Sequence, residues 1–417
     1  METTTRRQDI DWLRVIAFYI LIFFHVGMVF VPWEFHLKNN QTVEWFETWM
    51  AFLHQWRLPL LFMISGIVLY HSMGKRTGKK YFGERSKRLL IPLVFGMLVI
   101  IPPQIYYERL FNGIQFSSYW EFWKTVFNFV PYPMGGSFSW HHLWYVLYIF
   151  VYSLIAYPLF KYLRTDKSLN FRNRIGSFLK RHPNSIYLIT ILFLGFYYTL
   201  ARKFPETHGL FDDWYNHSIS FSLFLLGFCI SGIDGFWEVL VAKRKQSLIQ
   251  ALIPALTLML FVWGPTFTIV NEDTDWFIYV YGILKMVMIP SLLFAILGYG
   301  KVLLNKPSKV LTYANESVYP LYILHQSVEL VFAFYIIQLD WGVLPKFLLL
   351  IAATFGISLL IYELLIKRYS LTRLLFGMKP RPRQIKVALD GLESIKNHQL
   401  KNILSPLKIK TDNQHYL

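Results

Sequence analysis

The chain has 417 residues, of which 54% are hydrophobic and 18% aromatic while only 16% are charged. An average soluble domain carries about 25% charged residues, so this composition leaves too little polar surface for a water-soluble body of this size. The formal net charge is nonetheless +17. Few charges with a strong basic excess point away from nucleic acid and towards a membrane protein with its cations on one side. The lone Cys229 excludes an intramolecular disulfide framework and a Cys-rich zinc module, and in its apolar run it reads as packing.

A membrane span needs about 20 mainly apolar residues. Runs of that kind fall at roughly 12–32, 48–70, 89–107, 141–162, 185–203, 216–233, 248–270, 277–299, 316–338 and 346–366. They predict an all-α, polytopic transmembrane bundle of about ten spans, with a membrane domain over 1–370 and a basic tail over 371–417. The first run is too long for a cleavable signal peptide, carries Arg14 and His25, and lacks a small-residue cleavage site.

Ionisable groups inside such spans are costly and mark function by default. In the first span Arg14 and His25 lie eleven residues apart, about three turns and about 16 Å of rise, so they share a face. Asp11 is placed to pair with Arg14. The bland reading has Arg14 snorkelling to the headgroups and His25 bonding a neighbouring helix. The second span holds His54 and Arg57 three residues apart, followed by Pro59 and Phe62-Met63-Ile64-Ser65-Gly66. Arg57 lies deep enough that it must face protein, water or an anion.

Before the third span, Arg85 and Arg88 can project from one helical turn and suit a phosphate. Taken alone, they are also ordinary positive-inside charge. The external segment 108–140 is rich in Trp, Tyr and Phe and is expected to fold back onto the bundle. The fourth span opens with Trp140-His141-His142-Leu143-Trp144-Tyr145, where an aromatic belt is the competing reading. His208 and Asp213 make an H-x4-D string in a short acidic loop and read as chance. In the ninth span His325 precedes Glu329 by one turn on the same face, either tuning the imidazole or forming a satisfied polar knot. Lys285 and Glu363 also lie in apolar runs and receive no role. No nucleotide-binding glycine loop, nucleophile elbow or H-E-x-x-H motif occurs. The histidines lack paired helical spacing, so no metal is expected.

The connections alternate in charge. Segments 33–46, 108–140, 204–215, 271–276 and 339–345 hold three cations against eleven anions, and the other set carries nearly all of the basic excess. Basic connections stay in the cytoplasm, so both termini are expected there. The basic tail reads as a solvated arm near anionic lipid.

These residues together carry a resemblance. Arg14-x10-His25, the Phe-Met-Ile-Ser-Gly run, Arg85-x-x-Arg88, His142-Leu143-Trp144 and Leu321-Tyr322-Ile323-Leu324-His325 resemble the acyltransferase 3 family of integral membrane proteins, over about residues 8–370. Within it, His54-Gln-Trp-Arg57, Arg85-Ser-Lys-Arg88-Leu-Leu-Ile-Pro92 and Tyr313-Ala-Asn-Glu-Ser317 look most like the branch that succinylates osmoregulated periplasmic glucans.

The resemblance implies a multi-pass inner-membrane enzyme that moves an acyl group from cytoplasmic acyl-CoA to a hydroxyl of an extracytoplasmic or lipid-linked glycan. Succinyl-CoA or acetyl-CoA would be the co-substrate, with no permanently bound cofactor. Arg85 and Arg88 would dock the polyanionic donor, and its thioester arm would run past Arg14 to His25. His25 would act as general base, with an acyl-histidine as the second option. Arg57, His325 or the indole of Trp144 would stabilise the oxyanion or orient the sugar, with His54, His142, Glu329 and Asp11 in support. Glycan-synthesis proteins are the expected partners, and any acyl handover would need a separate protein. Two readings compete: a glycolipid flippase or transporter, which favours repeats and paired broken helices, and a membrane sensor or scaffold whose polar groups are structural. The acyl group, the acceptor and the oligomeric state are not specified by the sequence.

Overall fold

Apolar runs of this length in a medium without water must satisfy their own backbone, and helices do so. The computed structural model describes residues 7–74, 78–264 and 274–380. The chain forms α1 (Gln8–Met28), α2 (Glu44–Met73), α3 (Gly78–Phe111) and the short α4 (Tyr119–Lys124). There follow α5 (His141–Ile155), α6 (Tyr157–Leu163), α7 (Leu169–Arg181), α8 (Pro183–Leu200), α9 (Trp214–Ser231) and α10 (Asp234–Phe261). The last are α11 (Asp275–Leu303), α12 (Lys309–Ile336), α13 (Val343–Ile366) and α14 (Ser370–Leu375). Among the described residues no strand forms beyond a single bridge between Pro131 and Phe138.

Each expected run falls on one of these helices or bent pairs. Among the described residues six are long and apolar enough to cross a membrane, and up to eight if each bent pair counts as one span. The bends are 60° between α5 and α6 and 109° between α9 and α10. α12 spans 28 residues but carries Asn315, Glu316, His325, Gln326 and Glu329, and is less apolar than those six. The expected connection 234–247 is itself helical, as the first half of α10. Its Lys243, Arg244 and Lys245 read as a loop by charge alone, although Lys and Arg are good helix formers. The run expected to 270 leaves the helix at Phe261, and residues 265–273 lie outside the described set, as does the expected tail from 381.

α1 packs against α2, α11, α12 and α13. Its Phe18, Leu21 and Ile22 are buried in the main core. α9 lies along α2, where glycine does the packing. A Cβ on Gly66 would overlap the Phe224 carbonyl, and one on Gly227 would overlap that of Met63. Lipid tails are as apolar as leucine, so helices associate in a membrane through such close backbone approach.

Prolines in α3 open backbone carbonyls that other elements then use. Pro92 cannot donate to the Arg88 carbonyl four residues back, and the Tyr319 hydroxyl of α12 donates to it instead at 3.2 Å. Pro102 does the same to Leu98, whose carbonyl accepts the Trp123 indole N–H at 2.8 Å. That bond folds segment 108–140 back onto α3, with Phe122 and Val126 fully buried. α3 widens into π-turns at Ser86–Leu90 and Gly96–Ile100, features that often attend functional sites. α12 starts on a Ser308 cap that accepts from the N–H groups of Val310 and Leu311.

The close α2–α9 contact gives a direct test. Gly227→Val is expected to destabilise the bundle by about 1–3 kcal/mol through overpacking, read as a fall of several degrees in the unfolding temperature in detergent. Gly195→Ala, where an added Cβ meets nothing within 4 Å, is expected to leave that temperature unchanged. Equal behaviour of the two variants would remove the α2–α9 argument.

Candidate functional site

The polar faces of α1, α2, α5 and α12 meet on a cavity of about 1580 Å3. Its rim is completed by segments around 32–36, 129–142, 207–209 and 262–264. Of the residues expected in a site, His25, His54, Arg57, His142 and Trp144 line it.

His25 sits on its floor with a second imidazole behind it. His325 Nδ1 lies 2.6 Å from the Tyr322 carbonyl. A carbonyl can only accept, so Nδ1 carries the proton and Nε2 of the neutral ring is an acceptor. That Nε2 faces His25 Nδ1 at 3.4 Å, which makes His25 the donor. The second nitrogen of His25, Nε2, is then left as a lone pair. His142 is fixed by the same logic. Its Nε2 donates to the Ile323 carbonyl at 3.1 Å, and its Nδ1 accepts from Gln104 Nε2 at 3.3 Å. Gln104 also donates to Ser327 Oγ at 2.8 Å, and that hydroxyl donates to the Ile100 carbonyl at 2.5 Å.

Arg57 lies on the adjoining wall, 3% exposed. Its guanidinium carbon stands 3.3 Å above the centre of the Phe24 ring, a cation–π contact. Nη1 donates to His54 Nδ1 at 3.3 Å, and Nε has no hydrogen-bond partner among the described residues. His54 Nε2 in turn faces Glu206 at 3.8 Å, both side chains being more than a third exposed. His208 Nε2 donates to the same carboxylate at 2.9 Å. Burial alone would raise the Glu206 pKa, but its contacts with His208 and His54 hold it well below the usual carboxylate range.

The two residues of the H-x4-D string have separate surroundings. His208 lines the cavity and stacks on Trp144 at 4.2 Å and 18°. Asp213 is a separate anchor, accepting from the Tyr148 hydroxyl at 2.6 Å and the Asn216 amide at 2.8 Å.

Other expected residues lie elsewhere. Arg14 contacts Asn315 and Asp11 at the opposite end of α1. Arg88 pairs with Glu84 at 3.4 Å, and Arg85 lies over the Tyr81 ring at 5.5 Å. None of these lines the cavity. The face from Arg14 to His25 is interrupted by Phe18, whose ring packs on Tyr322 at 5.1 Å and Tyr145 at 6.1 Å. Tyr145 is held there by Ser65 Oγ at 2.8 Å and the Leu61 carbonyl at 3.1 Å. His325 is fully buried behind His25 rather than on the cavity. Glu329 does not bond His325, and neither of its buried oxygens has a hydrogen-bond partner among the described residues. Lys285 lies 5.8 Å from the Tyr281 ring, and Glu363 pairs with Lys367 at 2.8 Å, both side chains partly exposed.

Sequence reading passed over Glu206, Trp33, His36 and Gln326, all at or beside the cavity. For Glu206, Trp33 and His36 the one visible signal was the gathering of aromatic and titratable residues in segments read as loops or at a span's edge, while Gln326 sat unremarked beside His325 in the ninth span.

A family model described as an acyltransferase domain matches residues 7–363. Glucans biosynthesis protein C from Escherichia coli strain K12 is 23% identical over 394 residues, covering 90% of this chain and 95% of that protein. The protein of the same name from Salmonella paratyphi B is 23% identical over 401 residues, covering 93% and 98%. No solved structure matches.

The tautomer argument is testable by nitrogen-15 NMR of histidine-labelled protein in detergent. His25 is expected as the Nδ1–H form, and His325→Phe is expected to abolish that preference. A wild-type His25 protonated at Nε2 would overturn the hydrogen-bond assignment.

Proposed function

The chain belongs to the acyltransferase family whose domain model spans residues 7–363, and we propose that it transfers an acyl group from acyl-CoA to a glycan hydroxyl bound in the cavity. Its relatives are named for glucan biosynthesis, which favours a glucan acceptor and a succinyl or acetyl donor. The charge pattern of the connections places Arg14, Arg85 and Arg88 on the cytoplasmic side and the cavity rim outside. This reading has ten crossings, cytoplasmic termini and an inner-membrane location.

The observation that carries the proposal is the His25–His325 pair at the cavity floor. The acceptor hydroxyl oxygen attacks the thioester carbonyl carbon while its proton passes to His25 Nε2. The tetrahedral oxyanion then collapses, the carbon–sulfur bond breaks, and the coenzyme thiolate leaves and takes up the proton. A neutral imidazole with a positioned lone pair suits this task, and His325 holds the ring by accepting its other proton. Of the three groups able to meet the oxyanion, Arg57 is favoured. It faces the cavity beside His25 with an unengaged Nε–H, whereas His325 is buried behind and Trp144 is covered by His208. The indole and tyrosine faces around the rim offer flat apolar surfaces to sugar rings.

The donor side is separated from His25 by the Phe18, Tyr145 and Tyr322 layer. The acyl arm must part these rings, so acyl transfer includes a conformational step. Closure at other times keeps water and cytoplasm from the cavity.

His25→Ala that still inserts and purifies normally is expected to lose about 10²–10⁴-fold in transfer rate. Mass spectrometry of the envelope glycan then shows loss of the added acyl mass, and that mass reports succinyl or acetyl. Undiminished acylation by His25→Ala rules out its role as base. Arg57→Met is expected to cost about 10²–10³-fold in kcat, while Arg85→Ala with Arg88→Ala should raise the KM for acyl-CoA with a smaller change in kcat. The reverse pattern would reassign the two ends of the molecule.

A further inference from the structure

At the cavity rim the fold gathers two imidazoles and a carboxylate from three distant segments. His36 comes from the α1–α2 connection, Glu108 from the end of α3 and His141 from the start of α5. One ligating atom of each lies within 4.8 Å of the other two. His36 Nδ1 is 2.8 Å from Glu108 Oε2. The His36 and His141 rings lie face to face, 5.0 Å apart and 10° from parallel.

An ion pair between His36 and Glu108 would explain the first contact but not the position of His141. His141 Nδ1 is engaged by Ser139 Oγ at 2.7 Å. Its Nε2 is shielded from solvent and has no hydrogen-bond partner among the described residues. With the proton on Nδ1 donated to Ser139, Nε2 is a bare lone pair beside the His36–Glu108 pair. The other oxygen of Glu108 accepts from the Tyr132 hydroxyl at 2.6 Å. Ser139 and Tyr132 thus orient an imidazole and a carboxylate in the way outer-shell groups orient metal ligands.

We propose that His36, Glu108 and His141 form a binding site for a divalent transition-metal ion of the zinc class. Two imidazoles and one carboxylate are a donor set that such an ion prefers over magnesium or calcium. Bond lengths of about 2.0–2.2 Å in tetrahedral geometry put ligand atoms about 3.4 Å apart. Binding therefore closes the widest ligand separation by about 1.4 Å at most, opens the 2.8 Å His36–Glu108 contact slightly, and turns one imidazole out of the face-to-face arrangement so that both in-plane lone pairs meet the ion. His36 and His141 also line the cavity, so the fourth position faces it and takes water. The bound ion fastens the α1–α2 connection and segment 129–141 to the outer end of α3, and so fixes the mouth through which a glycan enters. This inference stands on the rim geometry and does not depend on the proposed reaction.

The test uses the full-length protein in detergent, stripped with a chelator and titrated with Zn2+, then with Co2+ as a spectroscopic probe. About one equivalent is expected to bind, with visible cobalt absorption typical of low-coordinate nitrogen and oxygen ligation and a rise of several degrees in unfolding temperature. Glu108→Gln and His141→Gln are expected to weaken binding at least tenfold and to remove the thermal shift. Ser139→Ala keeps all three ligands and should weaken binding less. No saturable binding by the wild-type protein overturns the site, as does equal binding by wild type and both ligand variants. Equal affinity for Mg2+ or Ca2+ overturns the assigned ion class.

Discussion

Polar atoms in the middle of this bundle have almost no water to turn to, and the structure follows from how they partner one another. The carbonyls of α12 are the fixed points. A helical carbonyl has a second lone pair beyond its backbone bond. Those of Tyr322 and Ile323 take protons from His325 and His142. Once a rigid backbone has set those two tautomers, the remaining nitrogens have no choice. His325 must accept from His25, and His142 must accept from Gln104. The lone pair at the cavity floor is thus a consequence of backbone geometry two hydrogen bonds away. This also explains why α12, although read as a span from the sequence, is less apolar than the six most apolar helices. Its His325, Gln326 and Glu329 are buried inside the protein.

The same constraint accounts for the layer at Phe18. A continuous polar face from Arg14 to His25 would be a water path through the bundle. An aromatic plug of Phe18, Tyr145 and Tyr322 breaks it, with the tyrosine hydroxyl of Tyr145 anchored to Ser65 and Leu61 on α2. Under the proposed function, a thioester and a glycan on opposite faces would have to meet without opening a leak. Rings that are packed but not covalently fixed can part around a thin acyl arm and close behind it. The spacing of eleven residues between Arg14 and His25 sets how far apart the two ends of that face lie.

Much of this was legible in the sequence, for reasons specific to each residue. His25, His54, Arg57, His142 and Trp144 were found because an ionisable or hydrogen-bonding group in an apolar run is conspicuous. The helical runs themselves followed from length and hydropathy. What was not legible depends on contacts across the chain. The Phe18 layer is assembled from three helices, and Phe18 alone looks like any other apolar residue of α1. Glu206 and His208 sit in a short acidic loop, where charge is expected and carries no signal. The start of α10 was hidden because its Lys243, Arg244 and Lys245 imitate a cytoplasmic loop. The expected His325–Glu329 pair respected helix periodicity, but the Tyr322 carbonyl lies closer to His325 Nδ1 and wins it.

The placement of Glu206 bears on the oxyanion role proposed for Arg57. A buried guanidinium needs a counter-charge, and a direct bidentate carboxylate would be the simplest solution. Such a pair would occupy the donors and cancel the positive field at the cavity. Here the neutral His54 stands between them, accepting from Arg57 and facing Glu206. The anion is near enough to offset part of the cost of burying the cation, yet Nε–H of Arg57 keeps no protein partner among the described residues. Phe24 covers one face of the guanidinium and keeps it in plane. The result is a cation that is compensated at a distance and still has an N–H to give. That is what stabilising a transient oxyanion requires, and a direct Arg57–Glu206 ion pair would not supply it.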